Sequence, residues 1–255
     1  PDSNDENVWA HWSRGNYGPG DWSGSHNDLA AGVDLYHTDH SRAGISVMHT
    51  NSSLDRTENL GEVSMKKKFT RVSLYGRHDF AGGLHAAGDV FAGGIRIKDT
   101  SLVDMSTRTA GVHAEVGVDV SAGRGTITPL VRAAYAGIRG FTTKDGKGFP
   151  FTMKESHYSS FSAGLKASLP LSQVSLLTAY AGWGIRTGYD IDGTMSDAWN
   201  TMDISESGKE HVKTLGIGYR CDVTPFARLS LSAAREFSSG LHDDWNFQVS
   251  AAYKF

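Results

Sequence analysis

Apolar and polar residues alternate with a period close to two in segment after segment of this chain. In the cleanest run, Ala110, Val112, Ala114, Val116, Val118 and Val120 share one face, and Gly111, His113, Glu115, Gly117 and Asp119 the other. A second run fills the C-terminus, where Trp245, Phe247, Val249, Ala251, Tyr253 and Phe255 alternate with Asn246, Gln248, Ser250, Ala252 and Lys254. This period marks β-strands with two unlike faces. Weaker copies predict about twelve strands, over residues 7–17, 28–37, 42–51, 64–78, 83–97, 106–121, 126–138, 153–169, 173–187, 209–221, 226–237 and 244–255. The intervening segments alternate in length. Residues 18–27, 52–63, 98–105, 139–152 and 188–208 are long; 38–41, 79–82, 122–125, 170–172 and 222–225 are short; 238–243 closes the series. Short turns at one rim and longer loops at the other are the habit of transmembrane barrels. On this reading both termini lie on the short-turn, periplasmic side.

Charge decides which face meets lipid. The face holding His113, Glu115 and Asp119 cannot lie in hydrocarbon, where an ionised side chain costs several kcal/mol. It lines a watery lumen, and the Val/Ala face is left for lipid. On the final strand, aromatic residues stand at both ends of the apolar face, as in the interfacial girdles of such barrels. An open strand edge in lipid leaves backbone groups unpaired at several kcal/mol each, so the sheet must close and the last strand must pair with the first. The expected fold is all-β: a closed antiparallel 12-stranded transmembrane β-barrel, forming one domain over residues 1–255.

Composition refines this picture. The chain has 25 basic and 28 acidic residues, a formal net charge of −3, and so lacks the basic excess of nucleic-acid binders. A single cysteine, Cys221, excludes a disulfide framework and a multi-cysteine metal site. No segment approaches the roughly 18 apolar residues of a spanning helix, but a spanning strand needs only about 9–11 residues. Glycines recur inside the alternating segments, as at Gly32, Gly216 and Gly218. Each would cost a helix about 1 kcal/mol, whereas a curved sheet accommodates them. Pro129 falls inside the seventh strand and should mark a strand end or an irregularity. The sequence opens at Pro1 without a starting Met, as a fragment or a processed product would.

The terminal strand, with Phe255, Tyr253, Ala251, Val249 and Phe247 at alternate positions, resembles the C-terminal signal of outer-membrane proteins. More of the chain resembles the translocator domain of type V autotransporters. Val8-Trp9-Ala10-His11-Trp12 looks like that family's first strand, and Gly32-Val33-Asp34 like its Gly-x-Asp in strand two. Ala114-Glu115-Val116-Gly117 looks like its Ala-Glu-x-Gly in strand six. Ile127-Thr128-Pro129 with Tyr135 looks like its Ile-x-Pro…Tyr in strand seven. Leu215-Gly216-Ile217-Gly218 and the final strand complete the order.

The resemblance implies an outer-membrane barrel of Gram-negative bacteria that exports its own N-terminal passenger. The partners implied are the barrel-assembly machinery, which reads the terminal strand, periplasmic chaperones and outer-membrane lipids. The barrel is expected to be a monomer, with no cofactor, metal or nucleic acid. The family's interior helix precedes the first strand; residues 1–6 are read as a remnant of the segment before that strand. Some relatives cut their passenger inside the barrel with lumenal acids. Asp34 and Glu115 match such positions, but the third strand, residues 42–51, holds no acid, which argues against self-cleavage.

Asp34, Glu115, Asp119, Arg132 and Arg186 are the residues expected to line the lumen and meet a passenger segment or helix. His37, Asp39 and His40 cluster in a short turn, without the spacing of a zinc site. There is no Gly-x-Ser-x-Gly elbow, P-loop or dinucleotide fingerprint, and no catalytic residue is assigned. Lys66-Lys67-Lys68 lies at the outer end of strand four, as a solvated strand end or a contact with anionic lipopolysaccharide. Trp183 and Ile185 fall on the lipid face. Besides the translocator, two other classes remain open on the residues alone: a barrel enzyme such as a protease or phospholipase, and a passive porin or adhesin.

Overall fold

A computed structural model describes residues 7–17, 23–58, 61–99, 104–144, 150–188, 191–196, 201–206, 208–239 and 244–254. The residues 1–6 and Phe255 of the sequence reading lie outside them. Strands β1 (Val8–Tyr17), β2 (Ser23–His37), β3 (Ser41–Glu58), β4 (Gly61–Asp79), β5 (Leu84–Asp99) and β6 (Asp104–Val118) follow one another as antiparallel neighbours. They continue through β7 (Val120–Ala122) and β8 (Gly125–Ile138) to β11 (Ser156–Pro170), β12 (Ser175–Thr187), β15 (Lys209–Asp222), β16 (Ala227–Ser238) and β17 (Asp244–Tyr253). β17 then pairs with β1, from Val8 opposite Tyr253 to Asn16 opposite Trp245, so the sheet has no free edge. With β6 and β7 counted as two pieces of one strand, the result is a closed 12-stranded antiparallel β-barrel.

The break between β6 and β7 has a local cause. The pairing of β6 with β8 ends at Gly117 opposite Leu130, and that of β7 with β8 resumes at Val120 opposite Ile127, in the same register. Val118 therefore faces Pro129, which has no N–H to give the ladder. The irregularity expected at Pro129 is a missing bond, not a bend. A true bulge occurs between β2 and β3, where the register shifts between Asp34 and Tyr36 and leaves Leu35 and Tyr36 both exposed.

Burial is inverted relative to a soluble domain. The buried apolar residues are few and small for so large a sheet: Ala30, Ile95, Leu130 and Val212. Large apolar side chains crowd the outside instead, among them Leu29, Val72, Leu74, Phe161, Leu165, Leu215 and Ile217, each more than half exposed. A contiguous apolar surface of this kind needs a non-aqueous partner. On β17 the outward aromatics Trp245 and Tyr253 are eight positions apart. That is about 27 Å along the strand and about 21 Å after a tilt near 40°, close to the height of a hydrocarbon belt.

The long connections differ from the expectation of plain loops. β3 and β4 run on as a hairpin until Glu58 faces Gly61. The two longest connections form hairpins of their own, β9 (Phe141–Lys144) with β10 (Pro150–Met153), and β13 (Ile191–Ser196) with β14 (Thr201–Glu206). β10 pairs with β13, Phe151 opposite Met195, giving a small second sheet in the order β14-β13-β10-β9 above the long-loop rim. Short segments such as Phe141-Thr-Thr are too brief for a period-two signal to stand out, so only their pairing reveals them. No described helix is long and apolar enough to cross a membrane, which has no bearing on a strand barrel.

Candidate functional site

The inward-facing side chains enclose a cavity of about 1080 Å³. Its wall mixes charged and polar side chains with apolar ones such as Leu130 and Leu176. Glu115 on β6 and Arg132 on β8 face each other in register, and Arg132 Nε donates to Glu115 Oε2 at 2.6 Å. The Arg132 guanidinium also lies over the Tyr180 ring, 4.9 Å from its centroid. His85 Nε2 stands 3.7 Å from Glu115 Oε1. It fits because Gly117 opposite it lacks a side chain: a Cβ there would come within 2.7 Å of the imidazole. Asp89 and His113 pair at 2.8 Å beside this group. Asp119, at the β6–β7 break, accepts from the Thr128 hydroxyl at 2.6 Å and lines the same cavity.

Arg186 is also inward-facing and lines, with Arg132, Tyr158 and Tyr180, an adjoining space of about 250 Å³. It donates from Nη2 to Glu236 Oε2 at 2.6 Å, reaching from β12 past β15 to β16. Glu115, Asp119 and Arg132 line one cavity, and Arg132 also lines the adjoining space that holds Arg186.

Asp34 differs from the expectation that it lines the bore. Its carboxylate faces inward but is only 1 % exposed. Tyr75 on β4 donates its hydroxyl to Asp34 Oδ1 at 2.5 Å, and Trp9 Nε1 on β1 donates to that same hydroxyl at 2.9 Å. The two rings meet edge to face at 5.8 Å. Gly32 makes the arrangement possible, because a Cβ at that position would sit 2.5 Å from the Trp9 indole. A Trp in strand one and Gly-x-Asp in strand two therefore encode a brace across β1, β2 and β4 rather than an open ligand site. Sequence reasoning missed Trp9 and Tyr75 as its members, although alternation places both on the lumen face.

His37 Nδ1 lies 3.8 Å from Asp34 Oδ2, too long for a hydrogen bond. Among the described residues no group of three or more His, Cys, Asp or Glu side chains is arranged to hold a metal ion.

Of the C-terminal signal residues, Phe247, Val249, Ala251 and Tyr253 share the outward face of β17, with Phe247 and Tyr253 near half exposed. Trp12 packs edge to face on Phe247 at 6.4 Å across the β1–β17 seam. Trp183 and Ile185 share the outward face of β12, and the Trp183 indole stacks on His211 at 5.9 Å.

A closed sheet with an oily outside and a charged, hydrated bore defines an outer-membrane barrel with a passage through its wall. The family model of the autotransporter β-domain matches residues 7–234, and the chain belongs to that family. It is an outer-membrane translocator barrel that exports a passenger domain. Among curated proteins, none matches the sequence. Solved structures share the fold at low identity. The β-domain of the Bordetella autotransporter BrkA is 15 % identical with a TM-score of 0.75, over 98 % of this chain and 100 % of that one. The transport unit of AIDA-I from Escherichia coli is 16 % identical with a TM-score of 0.75, over 100 % and 92 %. The translocator domain of NalP from Neisseria meningitidis is 16 % identical with a TM-score of 0.70, over 100 % and 90 %.

Proposed function

We propose that residues 1–255 act as one monomeric domain whose short-turn rim faces the periplasm, and that the passenger passes the wall formed by Glu115, Asp119, Arg132 and Arg186. The observation that carries this reading is the pairing of charges between strands along the bore, Glu115 with Arg132 and Arg186 with Glu236. The described ends of β1 and β17 meet at the short-turn rim, where Asn7 N donates to Tyr253 O at 3.2 Å. A segment preceding β1 would thus enter the bore from the side on which periplasmic chaperones deliver it. The outward face of β17, through Phe247, Val249, Ala251 and Tyr253, is the surface offered to the barrel-assembly machinery, together with Phe255, which follows in the sequence. Asp34 serves the wall and does not touch the passenger.

The test uses a passenger fused upstream of Pro1 and stalled in export by a folded insert. A photo-crosslinking residue at position 132 should capture the passenger, and one at the neighbouring outward position 131 should not. The same residue at position 249 should capture the assembly machinery. Equal capture of passenger at 131 and 132, or surface display that survives deletion of β17, would overturn the proposal.

A further inference from the structure

At the long-loop end of β4, β5 and β6, the outward register changes from apolar to basic. On β4 it runs Leu74, Val72, Thr70, Lys68, Lys66; on β5 it runs Val90, Ala92, Gly94, Arg96, Lys98; on β6 Arg108 follows Val112 and Ala110. All five cations are exposed. The register sets Lys68 directly opposite Arg96, and Lys66 directly opposite Lys98. Arg108 faces Gly94, diagonally next to Arg96. Like charges directly opposite on one face of a sheet repel and destabilise the pair. Two such pairs side by side call for an anion between them.

The protein supplies part of that countercharge. Asp104 accepts from Arg96 Nε at 2.9 Å and Nη2 at 2.7 Å, and lies 3.3 Å from Lys98 Nζ. Asp55 on β3, opposite Ser64 of β4, is an exposed carboxylate on the same face. The side chains of Lys66, Lys68 and Arg108 make no hydrogen bond or ion pair among the described residues. Height matters as much as charge. Lys68 is ten positions along β4 from His78 at the short-turn rim, about 34 Å of strand, or about 26 Å after tilt. That places the cluster at the edge of the hydrocarbon belt, where lipid headgroups begin. The cations on the opposite wall are differently placed: Arg235 lies over the rings of Phe237 and Trp245, at 4.7 and 5.3 Å.

We propose that Lys66, Lys68, Arg96, Lys98 and Arg108 form a binding site for the phosphate groups of the phosphorylated glycolipid in the outer leaflet. This rests on the orientation proposed above, with the long-loop rim outside. The paired lysines and arginines take the sugar-linked phosphates, and the acyl chains lie against the apolar column of Val72, Leu74 and Val90 beneath. Lysine binds phosphate as a point charge and arginine as a fork, so the mixed cluster fits a ligand with more than one phosphate. Each cation near an anionic surface contributes about a factor of five in affinity at physiological salt. Screening weakens this as salt rises.

The test uses the refolded barrel in detergent, with diphosphoryl lipid A, a dephosphorylated lipid A and phosphatidylglycerol as probes, read by native mass spectrometry and by titration. Diphosphoryl lipid A should bind the wild type well above the other two. Lys66→Gln with Lys68→Gln, which leaves the Arg96–Asp104 pair intact, should weaken it about 25-fold. Adding Arg96→Gln and Lys98→Gln should remove detectable binding. Lys209→Gln with Lys213→Gln on the opposite wall deletes the same charge and should leave affinity within about twofold. Wild-type affinity in the first double variant, an equal loss in the opposite-wall variant, or equal binding of phosphatidylglycerol would each overturn the site. The fast-migrating folded band in unheated gels shows that each variant is a barrel. Protease accessibility of the rims in whole cells tests orientation separately, so an inverted barrel is distinguished from an absent site.

Discussion

The Tyr75 hydroxyl joins three strands and should be worth more than any charged pair in the open bore. Replacing Tyr75 with Phe keeps the ring, so the edge-to-face contact with Trp9 survives and only the oxygen is lost. Two hydrogen bonds go with it. One runs to Asp34, whose carboxylate is 1 % exposed and cannot recruit water in exchange. A hydrogen bond to a charged group is worth about 1.5–3 kcal/mol, and an ordinary one about 0.5–1.5 kcal/mol. Losing the Asp34 contact and the acceptor of the Trp9 N–H together gives about 2–4 kcal/mol. The Glu115–Arg132 pair supplies the contrast. Its side chains are 25 % and 46 % exposed. Such a screened pair contributes about 0.2–1 kcal/mol. Urea unfolding of the barrel in detergent, followed by tryptophan fluorescence and gel mobility, should therefore show Tyr75→Phe lowering stability by about 2–4 kcal/mol and Glu115→Gln by less than about 1 kcal/mol. Combined with Asp34→Ala, Tyr75→Phe should be non-additive by about 1 kcal/mol or more. A Tyr75→Phe barrel within about 0.5 kcal/mol of wild type, or simple additivity with Asp34→Ala, would refute the brace.

Sidedness is testable on one strand. Val249→Arg places a cation in lipid between Trp245 and Tyr253 and should cost about 2–4 kcal/mol in vesicle-inserted barrels, while Gln248→Arg, lining the cavity, should cost under about 1 kcal/mol; equal costs would contradict the assigned faces. Arg186→Ala leaves the half-buried Glu236 without its guanidinium and should lower the urea midpoint by an amount equivalent to about 1–3 kcal/mol, with Arg186→Lys recovering part of it; no change in midpoint would show that water replaces the contact. At the long-loop rim, hydrogen bonding from Arg96 and then Lys98 holds the Asp104 carboxyl at about 2 instead of the ordinary 3.8. Because the folded value is the lower one, the pairing stabilises the fold above pH 3.8 and is lost as pH falls through about 2. Carboxyl NMR of labelled aspartate should follow that midpoint, and Arg96→Gln should move it up towards 3.8; an unmoved midpoint would mean that Arg96 is not the cause.

Period-two alternation made most of the barrel legible. Once charge had assigned the faces, closure followed from the cost of an edge in lipid, and the β1–β17 seam is where that argument put it. Strand ends were less legible, because alternation in a hairpin that leaves the membrane has no oily face to keep it strict. The β3–β4 hairpin therefore extends to Glu58 and Gly61 through residues whose pattern reads as loop. The second sheet was invisible for the same reason. In the site, alternation placed Glu115, Asp119, Arg132 and Arg186 on the correct face but did not say who pairs with whom. Register decides that, and register comes from three-dimensional pairing. Glu115 meets Arg132 because 115 lies opposite 132, while Arg186 faces Glu210 on the next strand and still reaches past it to Glu236. Asp34 shows the limit most clearly. Its face was legible but its burial was not, since Tyr75, which covers it, stands 41 positions further along the chain.

The same pairing bears on how one bore can serve a passenger of any composition. A wall of unpaired charges of one sign would hold segments of the other sign and repel its own. Several charges in the main cavity have partners on the wall: Glu115 with Arg132 and His85, Asp89 with His113, and Asp119 with the Thr128 hydroxyl. These contacts run between neighbouring strands, so the side chains lie along the wall instead of across the bore. For a passing carboxylate or ammonium, displacing one of these partners would exchange a pair for a pair with little net gain. On the route proposed above, these paired groups would hold a passing segment weakly, whatever the sign of its charge.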